Sequence, residues 1–157
     1  MVAASAVRFS VGVLGNIIAL FLFLSPVPTF ISICRKGSVE QYSPVPYLAT
    51  FLNCMLWVLY GLPFVHPNST LVITINAAGC FIEVVYLVLF VVYSDGADPK
   101  NKRLKVILIS ILEIITVGVV AAAVLGFAHG TKRRSQIVGL IAIVCNIMMY
   151  AAPLSVI

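Results

Sequence analysis

Between Glu40 and Glu83 the chain carries no Asp, Glu, Lys or Arg, and a second charge-free run reaches from Phe9 to Cys34. Runs of this length constrain the fold more than any other feature. A membrane-crossing helix needs about 20 predominantly apolar residues, and 62% of the 157 residues are hydrophobic, against 10% charged. Soluble domains carry about 25% charged residues. With a mean hydropathy of +1.14, the sequence reads as an integral membrane protein.

The charge clusters divide it into five spans. The first runs roughly from Val7 to Ile33. HPNS at 66–69 splits the long run into a second span, about Pro44 to Val65, and a third, about Thr70 to Tyr93. The fourth is about Leu104 to Phe127 and the fifth about Gln136 to Ile157. None shows the period-2 alternation of barrel strands, and lipid admits only helices or closed barrels. The expectation is therefore an all-α integral membrane bundle. The first run is too long for a signal peptide and lacks an A-x-A-like cleavage site. Cys34, Cys54, Cys80 and Cys145 are scattered without a C-x-x-C and read as reduced packing residues.

Lys and Arg placement sets orientation. Arg35 and Lys36 follow span 1, and Lys100, Lys102, Arg103 and Lys105 precede span 4. The HPNS loop has none, which favours an N-terminus outside. Lys132, Arg133 and Arg134 oppose this, so the tally is six inside against four outside, counting Arg8. The net charge of +5 thus belongs to membrane-flanking loops and does not indicate nucleic acid.

Two prolines, Pro26 and Pro28, fall in the last third of span 1, where each removes a backbone donor. The fifth span echoes this pattern. VG at 11–12 returns as VG at 138–139, and SP at 25–26 as AP at 152–153, both at an offset of 127. Spans 1–3 (7–93) then form one repeat, span 4 (104–127) is a linker, and span 5 (136–157) opens a second, parallel repeat. Parallel repeats about the membrane normal are a transporter architecture.

Five stretches in order carry a family resemblance: GNIIALFLFLSPVPTF (15–30), RKGSVEQYSPVPY (35–47), LNCMLWVLYGLP (52–63), TLVITINAAG (70–79) and MYAAPLSVI (149–157). The sequence resembles the SWEET sugar transporters, plant members of the PQ-loop superfamily, and is most similar to their hexose-transporting branch. The resemblance implies facilitated, bidirectional sugar transport by alternating access, without cofactor, metal or covalent chemistry. It also implies seven helices, so the chain is expected to stop after the fifth. A plasma-membrane setting is expected, with pairing to other SWEET chains.

Several residues are candidates for transport. Pro26, Pro46 and Pro153 all fall in the inner half of the membrane, where a proline leaves a flexible joint. Hinge and simple packing kink are the two explanations, and the resemblance adds a four-proline ring, three of whose positions match these residues. Pro28 and Pro44 read as packing kinks. Sugar recognition needs hydrogen-bonding side chains and an aromatic face. Asn53 and Trp57 are four apart on one helix face. Asn76 is an amide inside span 3, either a ligand group or interhelical glue. In the family, the positions of Asn76 and Trp57 line the sugar cavity, those of Asn53, Leu22 and Met149 are pocket-lining, and that of Tyr60 is an outer gate. Glu83 and Glu113 lie mid-span, where a carboxylate costs about 2.5–3.5 kcal/mol on insertion scales. Proton coupling and a structural role are both open, and a structural one is favoured. Asn68-Ser69-Thr70 is a formal glycosylation acceptor, expected to stay unmodified in so short a loop.

Two other classes compete. A scaffold or receptor that only associates with full-length partners would give no sugar flux. A membrane enzyme is the weakest option, because His66 and His129 stand alone and no Ser/His/Asp or metal-spaced cluster occurs.

Overall fold

The computed structural model describes residues 2–94 and 99–151. They form six helices: α1 (Val2–Leu24), α2 (Val27–Lys36), α3 (Val45–Gly61), α4 (Thr70–Tyr93), α5 (Pro99–Phe127) and α6 (Thr131–Ala151). Three stretches are long and apolar enough to cross a membrane: Phe9–Lys36, which contains most of α1 and all of α2, then α4 and most of α5. The expected single first helix is instead two, parted at Ser25–Pro26. The described part of span 5 ends at Ala151, so Pro153 lies outside the described residues.

The break has a specific chemistry. Pro26 has no N–H to offer the Leu22 carbonyl four residues back. That carbonyl accepts instead from the Ser25 backbone N–H (3.2 Å) and the Ser25 hydroxyl (2.7 Å). The neighbouring Phe23 carbonyl accepts from the Tyr86 hydroxyl of α4 at 3.0 Å. Pro28 sits in the first turn of α2, where a missing donor costs little. Pro44 and Pro46 similarly fall at the N-cap and first turn of α3, so they start a helix without kinking one.

Helix ends depart from the expected spans for local reasons. α3 ends at Gly61, short of Val65. Leu62 precedes Pro63 and is pushed to extended backbone, φ −60° and ψ 141°. α5 and α6 start earlier than Leu104 and Gln136, because each recruits a polar first turn outside its apolar stretch. α2 closes on Gly37, whose φ of 68° lets its N–H reach the Ile33 carbonyl at 2.8 Å.

α4 is the central element. It packs most extensively on α3 and also touches α1, α2 and α5, while α3 additionally receives α5 and α6. The three N-terminal spans thus stand in the order first, third, second. Glycine permits the tightest crossings: a Cβ on Gly79 of α4 would lie 2.8 Å from both Cys54 Sγ and Phe23 Cζ. The Asn16 amide of α1 donates to the Leu71 carbonyl at 3.0 Å, a polar clip of the kind that joins membrane helices.

Each end of the bundle is tied by backbone capping. At one end Val39 N–H donates to the Tyr93 carbonyl (3.2 Å), and Arg103 donates to the Ser94 carbonyl (2.9 Å). At the other, Arg134 reaches the carbonyls of Ala128 (2.9 Å), Phe64 (3.2 Å) and Leu125 (3.3 Å). Arg134, one of the cations that opposed the orientation tally, therefore terminates α5 and fastens the loop after α3. An aromatic knot pins α2 to the bundle: Phe30 stacks on Tyr86 (4.4 Å) and meets Tyr47 edge-on (4.9 Å).

Candidate functional site

A cavity of about 270 Å³ opens where α1 breaks. Leu22, Phe23, Ser25 and Pro26 form one wall, and Pro46, Tyr47, Thr50 and Asn53 of α3 another. Glu83 of α4 and Met149 and Tyr150 of α6 complete it. Its size is just under the roughly 300–1,000 Å³ of typical small-molecule sites. A larger hollow of about 420 Å³ between α4 and α5 is walled by Val84, Val88, Ile107 and Ile111, with Ser110 as its polar residue, and suits a lipid chain.

Five expected residues meet at the cavity: Leu22, Asn53, Met149, Pro26 and Pro46. The Thr50 hydroxyl lies 2.9 Å from the Pro46 carbonyl, to which it donates, and 3.5 Å from Met149 Sδ, bridging α3 to α6. Thr50 and Tyr47 escaped the sequence reading. Tyr47 and Thr50, and Thr50 and Asn53, are each three apart and so neighbours on the helix surface, so the signal was present.

Trp57, Tyr60 and Asn76 do not line this cavity. Trp57 lies four residues beyond Asn53 and Asn76 seven before Glu83, about 6 Å and 10 Å along their helices. Because α3 and α4 run in opposite directions, both displacements point toward the HPNS end. There Trp57 meets Tyr60 edge-on (5.4 Å, 74°), and Tyr60 stacks on His66 (4.8 Å). A Cβ on Gly139 would approach the Tyr60 ring to 3.1 Å, so α6 packs closely against it. The His66 ring nitrogen Nδ1 pairs with the Ser69 hydroxyl, which fixes the short loop. The Asn76 amide donates back to the Val72 carbonyl of its own helix at 2.8 Å, leaving its carbonyl oxygen for another partner.

Glu83 is the residue whose setting the sequence least revealed. It is 3% exposed and Asn53 8%. Asn53 Oδ1 and Glu83 Oε2 are buried with no hydrogen-bond partner, as is Glu113 Oε2 on α5, away from the cavity. Among the described residues no group of three His, Cys, Asp or Glu could hold a metal ion.

A family model described as "Sugar efflux transporter for intercellular exchange" matches residues 9–98. The chain belongs to the SWEET family. The bidirectional sugar transporter SWEET4 of Oryza sativa subsp. indica is 57% identical over 156 residues, covering 99% of this chain and 59% of that protein. SWEET7 of Arabidopsis thaliana is 52% identical over 149 residues, covering 95% of this chain and 57% of that one. A solved structure of a eukaryotic SWEET transporter superposes with a TM-score of 0.85 at 38% identity, over 94% of this chain and 67% of the other. The chain is thus a multi-pass integral membrane protein and a transporter-family member, not an enzyme. It spans about three fifths of the length of the curated relatives it matches.

Proposed function

We propose that this chain serves bidirectional, facilitative transport of sugars, hexoses such as glucose, across the plasma membrane by alternating access. The cavity at the α1 break carries the proposal, because it joins polar side chains, an apolar wall and a proline break in one place. The relatives' designation as bidirectional sugar transporters supports the same reading. Asn76 and Trp57 serve as the outer level of the path, Asn53, Leu22 and Met149 as the inner level, and Tyr60 as the outer gate. Pro26 and Pro46, with Pro153, serve as inner hinges. Residues 7–93 act as one three-helix repeat, 104–127 as its linker, and 136–157 as the first helix of a second repeat, with the N-terminus outside. No cofactor takes part.

Association with a second SWEET chain is part of the same reading. The test is flux of radiolabelled glucose in proteoliposomes holding the 157-residue chain, with its assembly state read by cross-linking. The expected result is saturable flux in both directions from an assembled species, with Trp57→Ala and Asn76→Ala each lowering sugar affinity at least several-fold. Assembled chains in sealed vesicles without flux would favour a non-transporting subunit. A monodisperse transporting monomer would sink the association.

A further inference from the structure

Two residues that line one cavity each carry a buried oxygen without a partner. Asn53 Oδ1 comes from α3 and Glu83 Oε2 from α4, and both residues are more than nine-tenths buried. Buried polar atoms without a partner are rare in native structures, a few per hundred residues. Two on adjacent helices, in residues that line the same hollow, indicate a ligand whose polar hydrogens complete them. Glu113 is the informative contrast. It too has a buried oxygen without a partner, but it does not line this cavity.

The chemistry of the pair narrows that ligand. An amide carbonyl oxygen can only accept. A carboxyl oxygen accepts when ionised and can donate when protonated. A hydroxyl group both donates and accepts, so it satisfies Asn53 always and Glu83 in either state. A bound metal cation would want several anionic or carbonyl ligands converging on it, and the described residues offer no such cluster. Thr50 adds a further hydroxyl one turn from Asn53, while Leu22 and Met149 supply apolar wall. Alternating polar and apolar surface of this kind matches a polyol ring, with O–H groups at its rim and C–H groups on its faces.

We infer that Glu83 and Asn53 form a hydroxyl-binding station for a sugar at the inner level of the path, in which Glu83 is a direct substrate contact. This rests on the sugar-transport reading above and adds Glu83 to it. Glu83 lies about 10 Å along α4 from Asn76, so the two residues serve successive positions of one solute. A mid-membrane carboxyl is then retained because the solute completes its hydrogen bonding.

The test uses the two intramembrane acids against each other. The whole chain in proteoliposomes is treated with a hydrophobic carbodiimide, with and without D-glucose, and modification at each acid is read by peptide mass spectrometry. D-Glucose should protect Glu83 several-fold and leave Glu113 unchanged. Equal modification of Glu83 with and without the sugar overturns the proposal, as does a Glu83 that never reacts. In parallel, D-glucose binding is read from thermal stabilisation of the purified chain. Glu83→Gln, which keeps a hydrogen-bonding head, should bind within about threefold of the parent, whereas Glu83→Leu should bind about tenfold more weakly. Equal binding by the Leu variant refutes direct contact. Loss of glucose flux and binding in the unmodified chain would instead bring down the sugar-transport reading itself. Intact flux with an unprotected Glu83 brings down only this proposal.

Discussion

Replacing Tyr86 with Phe removes one oxygen and should reveal how the break in α1 is sustained. The hydroxyl donates to the Phe23 carbonyl at 3.0 Å, next to the site where Pro26 interrupts the ladder. The ring itself stays, because Phe preserves the stack on Phe30 at 4.4 Å. Hydrogen bonds contribute about 0.5–1.5 kcal/mol net, and a carbonyl left without a donor costs about 1–3 kcal/mol. Cycles in membrane proteins average lower, about 0.6 kcal/mol, because the unfolded chain also finds partners. A loss of about 1–1.5 kcal/mol is therefore expected for Tyr86→Phe. In a Pro26→Ala background residue 26 regains its N–H, the helix can run on, and the Val27 N–H becomes available to Phe23. There the same substitution should cost under about 0.5 kcal/mol, a coupling of about 1 kcal/mol between residues on different helices. Unfolding in micelles, followed through the fluorescence of the single tryptophan, Trp57, measures all four corners of the cycle. Equal losses in both backgrounds would refute the claim that Tyr86 compensates for the proline.

Gly79→Val should destabilise by about 1–3 kcal/mol through overpacking, since its Cβ alone would press Cys54 Sγ and Phe23 at 2.8 Å. Gly118→Val, where nothing lies within 4 Å, should leave the unfolding midpoint nearly unchanged. Orientation is open to impermeant thiol labelling of intact cells, in a background where the exposed Cys34 is replaced by Ser. Cysteine introduced at Ser69 should label and cysteine at Ser43 should not, and the opposite pattern would invert the topology.

Much of the helical framework was legible because its signal is one-dimensional. Charge-free runs mark spans, and Thr70 to Tyr93 emerged with the same limits as α4. Ends were less legible where a polar turn joins a helix, as at Pro99 and Thr131, or where a single residue stops one, as Pro63 does through Leu62. Pro26 and Pro28 announced an irregularity, but whether it would be a kink or a full break depended on donors elsewhere. Ser25 is adjacent in sequence, whereas Tyr86 is 63 residues away. Leu22, Pro26, Pro46, Asn53 and Met149 share a cavity, and the three-residue spacing along α3 could be counted from Tyr47 to Asn53. Glu83 could not be assigned from spacing. Its place beside Asn53 depends on the register of α4 against α3, which is set by packing at Gly79 and Gly61.

The break and the cavity are built from the same residues, and that overlap limits how α2 can move. Leu22 and Phe23 both line the cavity, while the Leu22 carbonyl accepts from Ser25 and the Phe23 carbonyl from Tyr86. Rotation of α2 about Ser25–Pro26 must therefore displace the cavity wall, strain these hydrogen bonds, or do both. It must also carry Phe30 away from Tyr86 and Tyr47, unstacking an aromatic knot that is buried at its Phe30 and Tyr86 members. Aromatic pairs are worth about 0.5–1.5 kcal/mol beyond area burial, and a net hydrogen bond about the same. Movement of α2 would thus cost a few interactions of about 1 kcal/mol each, which on the proposed transport reading a bound solute offsets by its own contacts. A continuous helix through residue 26 would stiffen that joint and separate the movement of α2 from the shape of the cavity. On the proposed transport reading, Pro26 is therefore the element that couples the two.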